Sequence, residues 1–534
     1  MFATAREAAR NNAGDIDTIT LPSQLLPEKY SFSQLHSELA SDETLSKAGV
    51  LENFLVLRSC LEHPSRLDRE ADDENIIDII ASWISKMILP DGSIIARDDI
   101  PSDSQSALEQ ALEVTQRLGL QGLKCLQVLL SFHSPPSPTS GINDPQILLS
   151  AITFTSSRDT WTSSSSRSIA TNILSVYSHQ TEASGFIIDF LLQSVVRPLF
   201  SKSKPEAVTS TGRKAMPSSA PPKRYNVSDA SDPAQKPWKY TSPYSIPVFE
   251  WVVESSSEAI ISQSWNLFIP PLLTLLDDPS TPIRSRGLSI LSSFLPKFGR
   301  KLLEQTGLGE VFDDAVMPTL MFLPSITPAD ESVQLLGPAY EALFVLGDVR
   351  WGVKETGEKG REQVNQQDRM KFYDRVMRKG ILMGYMYANE HPSIVELLIG
   401  EMGVLVEKMG VNAVKHLKDI IPILSALLTD PFASSPKQLL TVVRTLKSVI
   451  LACWPRISQP AHRLTILKSL VACWKNIEGS QAGTEDLQRE LKGVARLFVK
   501  TVEATQVIGT GCDIQGEVGA LVEADSGLGE LFGL

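Results

Sequence analysis

The sequence predicts an all-α protein, a HEAT-like helical-repeat solenoid whose paired helices stack as an α-α superhelix. Three observations predict it. Apolar residues recur at helical spacing almost everywhere, convincing period-2 strands are absent, and two distant stretches are near-copies of each other.

In chain order, the first clear stripe is Ile76, Ile79, Ile80, Trp83, Ile84, Met87 and Ile88. A later one is Ile394, Leu398, Met402, Leu405 and Met409, at steps of four, four, three and four. Such spacing lines one face of a 3.6-residue helix. Proline falls mainly between stripes, as at Pro135-Pro136, Pro279, Pro392, Pro431 and Pro455, where it stops or starts helices.

The near-copies are Ile269–Pro279 and Ile421–Pro431, which align without gaps and share seven of eleven residues. A weaker third copy starts at Met317-Pro318. From Pro270 to Pro318 is 48 residues, and from Pro318 to Pro422 is 104, about two further units. A period of about 40–50 residues, with a helix, an Asp-Pro turn and a second helix, is the HEAT pattern. In the first copy the second helix covers Ile283–Leu291, and Leu272, Leu275 and Leu276 are core candidates on the first. A lone helix pair cannot bury its apolar face, whereas stacked pairs share one core. Asp278 and Arg284 are expected to bond across the turn.

Composition divides the chain into an N-terminal helical-repeat region (1–200), a disordered Ser/Pro/Lys-rich linker (201–244), C-terminal HEAT-like repeats (245–507) and an acidic tail (508–534). The linker lacks apolar periodicity and carries eight Lys/Arg against three acids. A smaller polar break is expected from Asp348 to Asp368. After Lys500 there is no Lys or Arg, while six acids follow. Val518, Leu521, Val522, Leu528, Leu531 and Phe532 in that tail nevertheless suit a short docked helix, against either the last repeat or a partner.

Length and charge narrow the class. The 534 residues would fill roughly three to four domains at about 150 each, or one long array. A net charge of −12 argues against a general nucleic-acid binder. No run approaches the roughly 18 apolar residues of a membrane span, and the stretch from Met1 to Asn12 lacks the apolar core of a secretory signal. The five cysteines, Cys60, Cys125, Cys453, Cys473 and Cys512, form no C-x-x-C pair. They read as reduced thiols, which implies the cytoplasm or nucleus.

A search for chemistry identifies no catalytic, cofactor-binding or metal-binding residues. The Gly352–Lys359 stretch lacks the Gly-Lys-Ser/Thr ending of a phosphate loop, and Gly509-Thr-Gly511 reads as a loop. The seven histidines, His36, His63, His133, His179, His391, His416 and His462, are scattered. The Ala-Cys-Trp strings at Cys453 and Cys473 read as helix core. The acidic run from Asp68 to Glu74 reads as a solvated helix start, where the dipole favours acids. Lys223-Arg224-Tyr225 and Lys236–Tyr240 mix cations with aromatics, but a solvated linker explains them, and its Ser-Pro-Lys chemistry suits phosphorylation.

Several motifs between Pro237 and Leu346 carry a family resemblance through their order: Pro237-Trp238-Lys239, Val248–Val253, Phe268–Asp278, Arg284–Leu291, Gly307–Phe312 and Leu323–Pro328. This stretch resembles the Tel-two-interacting-protein-two family, a subunit of the TTT co-chaperone complex, and looks like a fungal member. The resemblance implies a non-catalytic scaffold or adaptor without cofactors. It also implies partners: Tel-two and Tti-one type proteins, phosphatidylinositol-3-kinase-related kinases (TOR and the DNA-damage checkpoint kinases) and the ninety-kilodalton heat-shock chaperone. Direct contact with nucleic acid or membrane is not expected. Partner-binding residues are not assigned. A nuclear transport receptor or phosphatase scaffold remains the alternative, resting on the repeat pattern alone, with an enzyme of unrecognised helical active site as the reading from another class.

Overall fold

A computed structural model describes residues 2–11, 21–42, 44–70, 72–95, 105–132, 142–203, 234–352, 359–431, 435–478, 484–506 and 513–533. Among them the chain is helical, with one isolated bridge between Tyr30 and Leu67 in place of any strand. Two compact units divide it, Met1–Thr274 and Leu275–Leu534.

In the first unit, helix Lys47–Leu61 packs along Gln105–Ser131, and Asp73–Met87 packs on both Gln105–Ser131 and Pro145–Ile152. Of the Ile76 stripe, Ile80, Trp83, Ile84 and Ile88 are buried, Ile76 and Met87 are partly covered and Ile79 is exposed, because the helix turns its buried face toward Ile77 instead. Helix ends are capped locally. Ser31 and Ser163 each accept a backbone N–H three residues on and form capping boxes. Gly92 fills a close approach: a Cβ there would lie 1.8 Å from the Tyr240 carbonyl oxygen.

The linker expectation is corrected at both ends. Residues 204–233 lie outside the described residues, but their flanks are packed together. Pro237–Tyr240 is a helical turn and Trp238 is fully buried. Its indole donates to Ser203 Oγ at 3.1 Å, and Ser203 Oγ donates to the Gln235 carbonyl at 2.7 Å. The Thr274 hydroxyl donates to the Ser203 carbonyl at 2.9 Å. The stretch leaves and returns to one place within the first unit, so it does not separate two helical regions.

The second unit shows the repeat. Helices Thr281–Thr306, Ala329–Trp351, Pro392–Met409, Pro436–Ala452 and Glu485–Gln506 pack side by side in that order. Their starts are 48, 63, 44 and 49 residues apart. Between them run the first helices of each pair, among which Leu417–Thr429 packs on Pro460–Glu478. The long step holds one extended first element, Lys359–Arg375 followed by Val376–Leu382 and Met383–Ala388. The polar break is therefore shorter than expected, since helix runs to Trp351 and resumes at Lys359. Thr281–Thr306 breaks at Gly299 (φ 75°), a left-handed conformation that glycine adopts without cost.

Leu272, Leu275 and Leu276 are buried, as their spacing requires. Their helix, Glu258–Asp277, has the length and composition to span a bilayer, contrary to the sequence expectation. Its Phe268, Ile269, Leu272, Leu275 and Leu276 are nevertheless covered by protein, as in a core helix.

The acidic tail docks. Ile514–Ala524 and Gly529–Phe532 pack on Glu485–Gln506, burying Ile514, Val518, Leu528, Leu531 and Phe532. Arg463 donates to both oxygens of Glu517 at 2.7 and 3.2 Å, Lys475 pairs with Asp525, and Lys492 pairs with Glu530. Trp474 Nε1 donates to the Gly527 carbonyl at 3.2 Å. The tail's negative charge thus meets cations of the last helix pair. Leu521 and Val522 are only partly covered.

Candidate protein-interaction surface

The Asp-Pro turn is closed by Arg284, as expected: Arg284 Nε donates to the Asp278 main-chain carbonyl at 3.1 Å. The Asp278 carboxylate accepts the Ser280 N–H at 3.0 Å. The guanidinium sits 4.5 Å from the Phe322 ring centre, a cation–π contact. Burial lowers its pKa from the usual value, while Asp277 and Asp278 pull the other way. Phe322 opens the Leu323–Pro328 turn, in which the Ile326 and Thr327 N–H groups both donate to the Leu323 carbonyl. Leu323 and Thr327 are buried, and Ile326 stands out to solvent with 77% of its surface exposed.

A charge network joins the next elements of the second unit. Arg375 pairs with buried Asp313, whose carboxyl is pushed above its usual value by burial, against the pull of Arg375. Arg350 donates to the Gly309 carbonyl at 3.3 Å. Asp348 accepts from Tyr373 Oη at 3.0 Å and Lys408 Nζ at 2.6 Å. Asp374 lies 2.8 Å from Lys415 Nζ and 2.9 Å from His416 Nε2. Burial lowers the His416 pKa, with Asp374 pulling it up. Burial, reinforced by Glu341, raises Glu401 to about 7. Tyr373, Asp374 and Arg375 thus tie their stretch to Asp348, Lys415 and Asp313.

In the first unit an open groove of about 840 Å³ is lined by Arg158, Arg167, Ser175, Glu182, Glu250 and Trp251, among others. Arg158 pairs with Glu250 at 3.4 Å across it. No sequence motif marked this groove, because its polar residues come from segments far apart in the chain.

The other singled-out residues fall as follows. Cys60, Cys125, Cys453 and Cys473 are buried thiols, each pushed to about 12 chiefly by burial; Cys512 lies outside the described residues. In the acidic run, Asp73 is buried rather than solvated, 3.6 Å from Arg69 and accepting the Glu70 N–H. Gly509-Thr-Gly511, His133 and Lys223–Tyr225 lie outside the described residues. Among the described residues no group of three His, Cys, Asp or Glu could hold a metal ion.

Paired helices, an Asp-Pro turn closed by Arg284 and successive second helices in contact define a HEAT-like helical-repeat protein. The chain belongs to the Tti2 family, whose sequence model matches residues 147–435. That family is a scaffold subunit of the TTT complex. The match extends on both sides of the 237–346 motifs and includes the groove, the Arg284 turn and the charge network.

Solved structures of a karyopherin are similar in fold. The crystal structure of Kap121p matches with a TM-score of 0.38 and 12% identity, over 94% of this chain and 48% of that one. Kap121p bound to the SUMO protease Ulp1p matches with a TM-score of 0.28 and 12% identity, over 92% and 53%. This chain spans about half the length of those proteins. At such values the likeness carries no functional argument.

Proposed function

We propose that this chain is the non-catalytic scaffold of a TTT co-chaperone complex. It joins Tel-two and Tti-one type proteins and, with the ninety-kilodalton heat-shock chaperone, supports the maturation and stability of phosphatidylinositol-3-kinase-related kinases, TOR and the DNA-damage checkpoint kinases among them. Its place of action is the cytoplasm and nucleus. The observation that carries this reading is the family match over residues 147–435. Repeat arrays present extended surfaces suited to several partners at once, and the five successive second helices of the second unit are such a surface. Affinity purification of the tagged chain followed by mass spectrometry tests it. Stoichiometric Tel-two and Tti-one type subunits, with kinase levels falling when the chain is depleted, are the expected result. Recovery of the chain alone, or with nuclear-import cargo, overturns the reading.

A further inference from the structure

One stretch of the second unit departs from the chain's overall charge. From Pro431 to Ile477 there is no Asp or Glu, but seven Lys or Arg, in a chain of net charge −12. Four of these cations are used internally: Lys437 by Glu396, Lys447 by Glu490, Arg463 by Glu517 and Lys475 by Asp525. Arg444 and Arg456 are exposed and have no acidic partner among the described residues.

The same place exposes large apolar side chains. On helix Pro436–Ala452, Arg444, Lys447 and Leu451 fall at steps of three and four, one outward face, and Trp454 continues the line three residues on. The opposite face, Leu439, Val442, Val443, Leu446, Val449 and Ile450, is buried. Helix Pro392–Met409 lies alongside in fixed register. Thr445 Oγ1 donates to the Ile399 carbonyl at 2.8 Å, and Ser448 Oγ to Glu407 at 2.6 Å. That register carries Val404 and Val411 toward the end holding Leu451 and Trp454, and the 410–416 turn packs on Trp454–Ile457. Val404 is 41% exposed, Val411 55%, Leu451 55% and Trp454 45%. Four large apolar side chains in water on two adjacent helix ends gain nothing unless covered.

We infer that Val404, Val411, Leu451 and Trp454, rimmed by Arg444 and Arg456, form a docking surface for an acidic helical segment of another protein subunit that carries apolar anchors. Charge complementarity selects the occupant, since Arg444 and Arg456 have no acidic partner among the described residues while the chain as a whole is acidic. The Trp–Arg pairing has the composition of an interface centre. The inference rests on the scaffold reading and names the surface that serves it.

The test measures binding of the purified full-length chain to a purified Tel-two/Tti-one type pair, at low and high salt. Two variants are compared, Leu451→Asp/Trp454→Asp and Arg444→Glu/Arg456→Glu, with thermal melting of each as a folding control. Both alter exposed positions, so melting near that of the unaltered chain is expected. Expected binding is at least tenfold weaker for the first variant. For the second it is about tenfold weaker with reduced salt dependence. If both variants bind within twofold of the unaltered chain, the docking surface is wrong and the scaffold reading stands. If the unaltered chain itself fails to bind the pair, both fall. Sedimentation of the unaltered chain with phosphatidylserine vesicles, lost in the first variant while subunit binding persists, would assign the patch to a lipid surface and overturn the inference.

Discussion

The indole of Trp238 lies flat on the ring of Phe200, with centroids 5.1 Å apart and planes 10° from parallel. The two residues flank a stretch of more than thirty positions, yet they share one buried site with Ser203. Replacing Trp238 with alanine removes the stack, the hydrogen bond and a large buried volume. A loss of about 3–5 kcal/mol is expected, read by denaturant unfolding. Proteolytic cuts placed between residues 204 and 233 should leave two pieces that still migrate together in native gel filtration. Their separation would show that the clasp does not hold.

Leu276 belongs to the core beneath the first Asp-Pro turn, where it is 2% exposed. Leu276→Ala should cost about 2–5 kcal/mol, measured as a shift of the urea midpoint at constant slope. An unchanged midpoint would place this face outside the core.

Sequence reading recovered the parts of the fold that repeat. Leu272, Leu275 and Leu276 sit where helical spacing puts them, and the 48-residue step from Pro270 to Pro318 recurs between the starts of Thr281–Thr306 and Ala329–Trp351. Contacts between residues far apart were not legible. Asp313 meets Arg375 from 62 positions away and Asp348 meets Lys408 from 60, and no local pattern encodes such pairs. The packing of the linker's flanks escapes the sequence for the same reason: composition around Trp238 reads as polar, while Phe200 and Ser203, more than thirty positions away, help bury that tryptophan. The basic apolar surface did leave a trace, the acid-free run from Pro431 to Ile477, which becomes informative once its helices are placed.

Glu401 gives a pH prediction with a definite sign. Its pKa in the folded chain, about 7, lies above the ordinary 4.5 because burial and Glu341 disfavour the charged form. The folded state therefore holds this proton more tightly than the unfolded chain. Its contribution to stability is full at low pH and is lost as pH rises from about 4.5 through about 7. Glu401→Gln, which mimics the protonated form, should stabilise the chain by about 1–3 kcal/mol at pH 8. The gain should shrink toward zero near pH 4.5. Parallel melting curves for both proteins across this range check it, and a pH-independent difference would remove the explanation.

Removing residues 514–534 should lower the melting temperature of the isolated chain, because Leu528, Leu531 and Phe532 are buried against the last helix pair. Each such side chain contributes roughly 1.5–3 kcal/mol. A milder variant, Arg463→Ala, removes the pairing with Glu517 and the bond to the Ser458 carbonyl while leaving the tail's apolar residues in place, and should cost less. Equal melting of truncated and full chains would show that the tail does not stabilise the array.

The docked tail also bears on self-assembly. A helical repeat is built to accept another repeat on its flank, so the bare side of Glu485–Gln506 would be a template for a second molecule's first repeat. Head-to-tail pairing of that kind has no closing symmetry and grows into filaments. Ile514–Phe532 occupies that side with residues shaped unlike a repeat, and ties itself down through Glu517, Asp525 and Glu530. The acidic segment thus leaves no bare repeat flank on Glu485–Gln506 where Leu528, Leu531 and Phe532 lie.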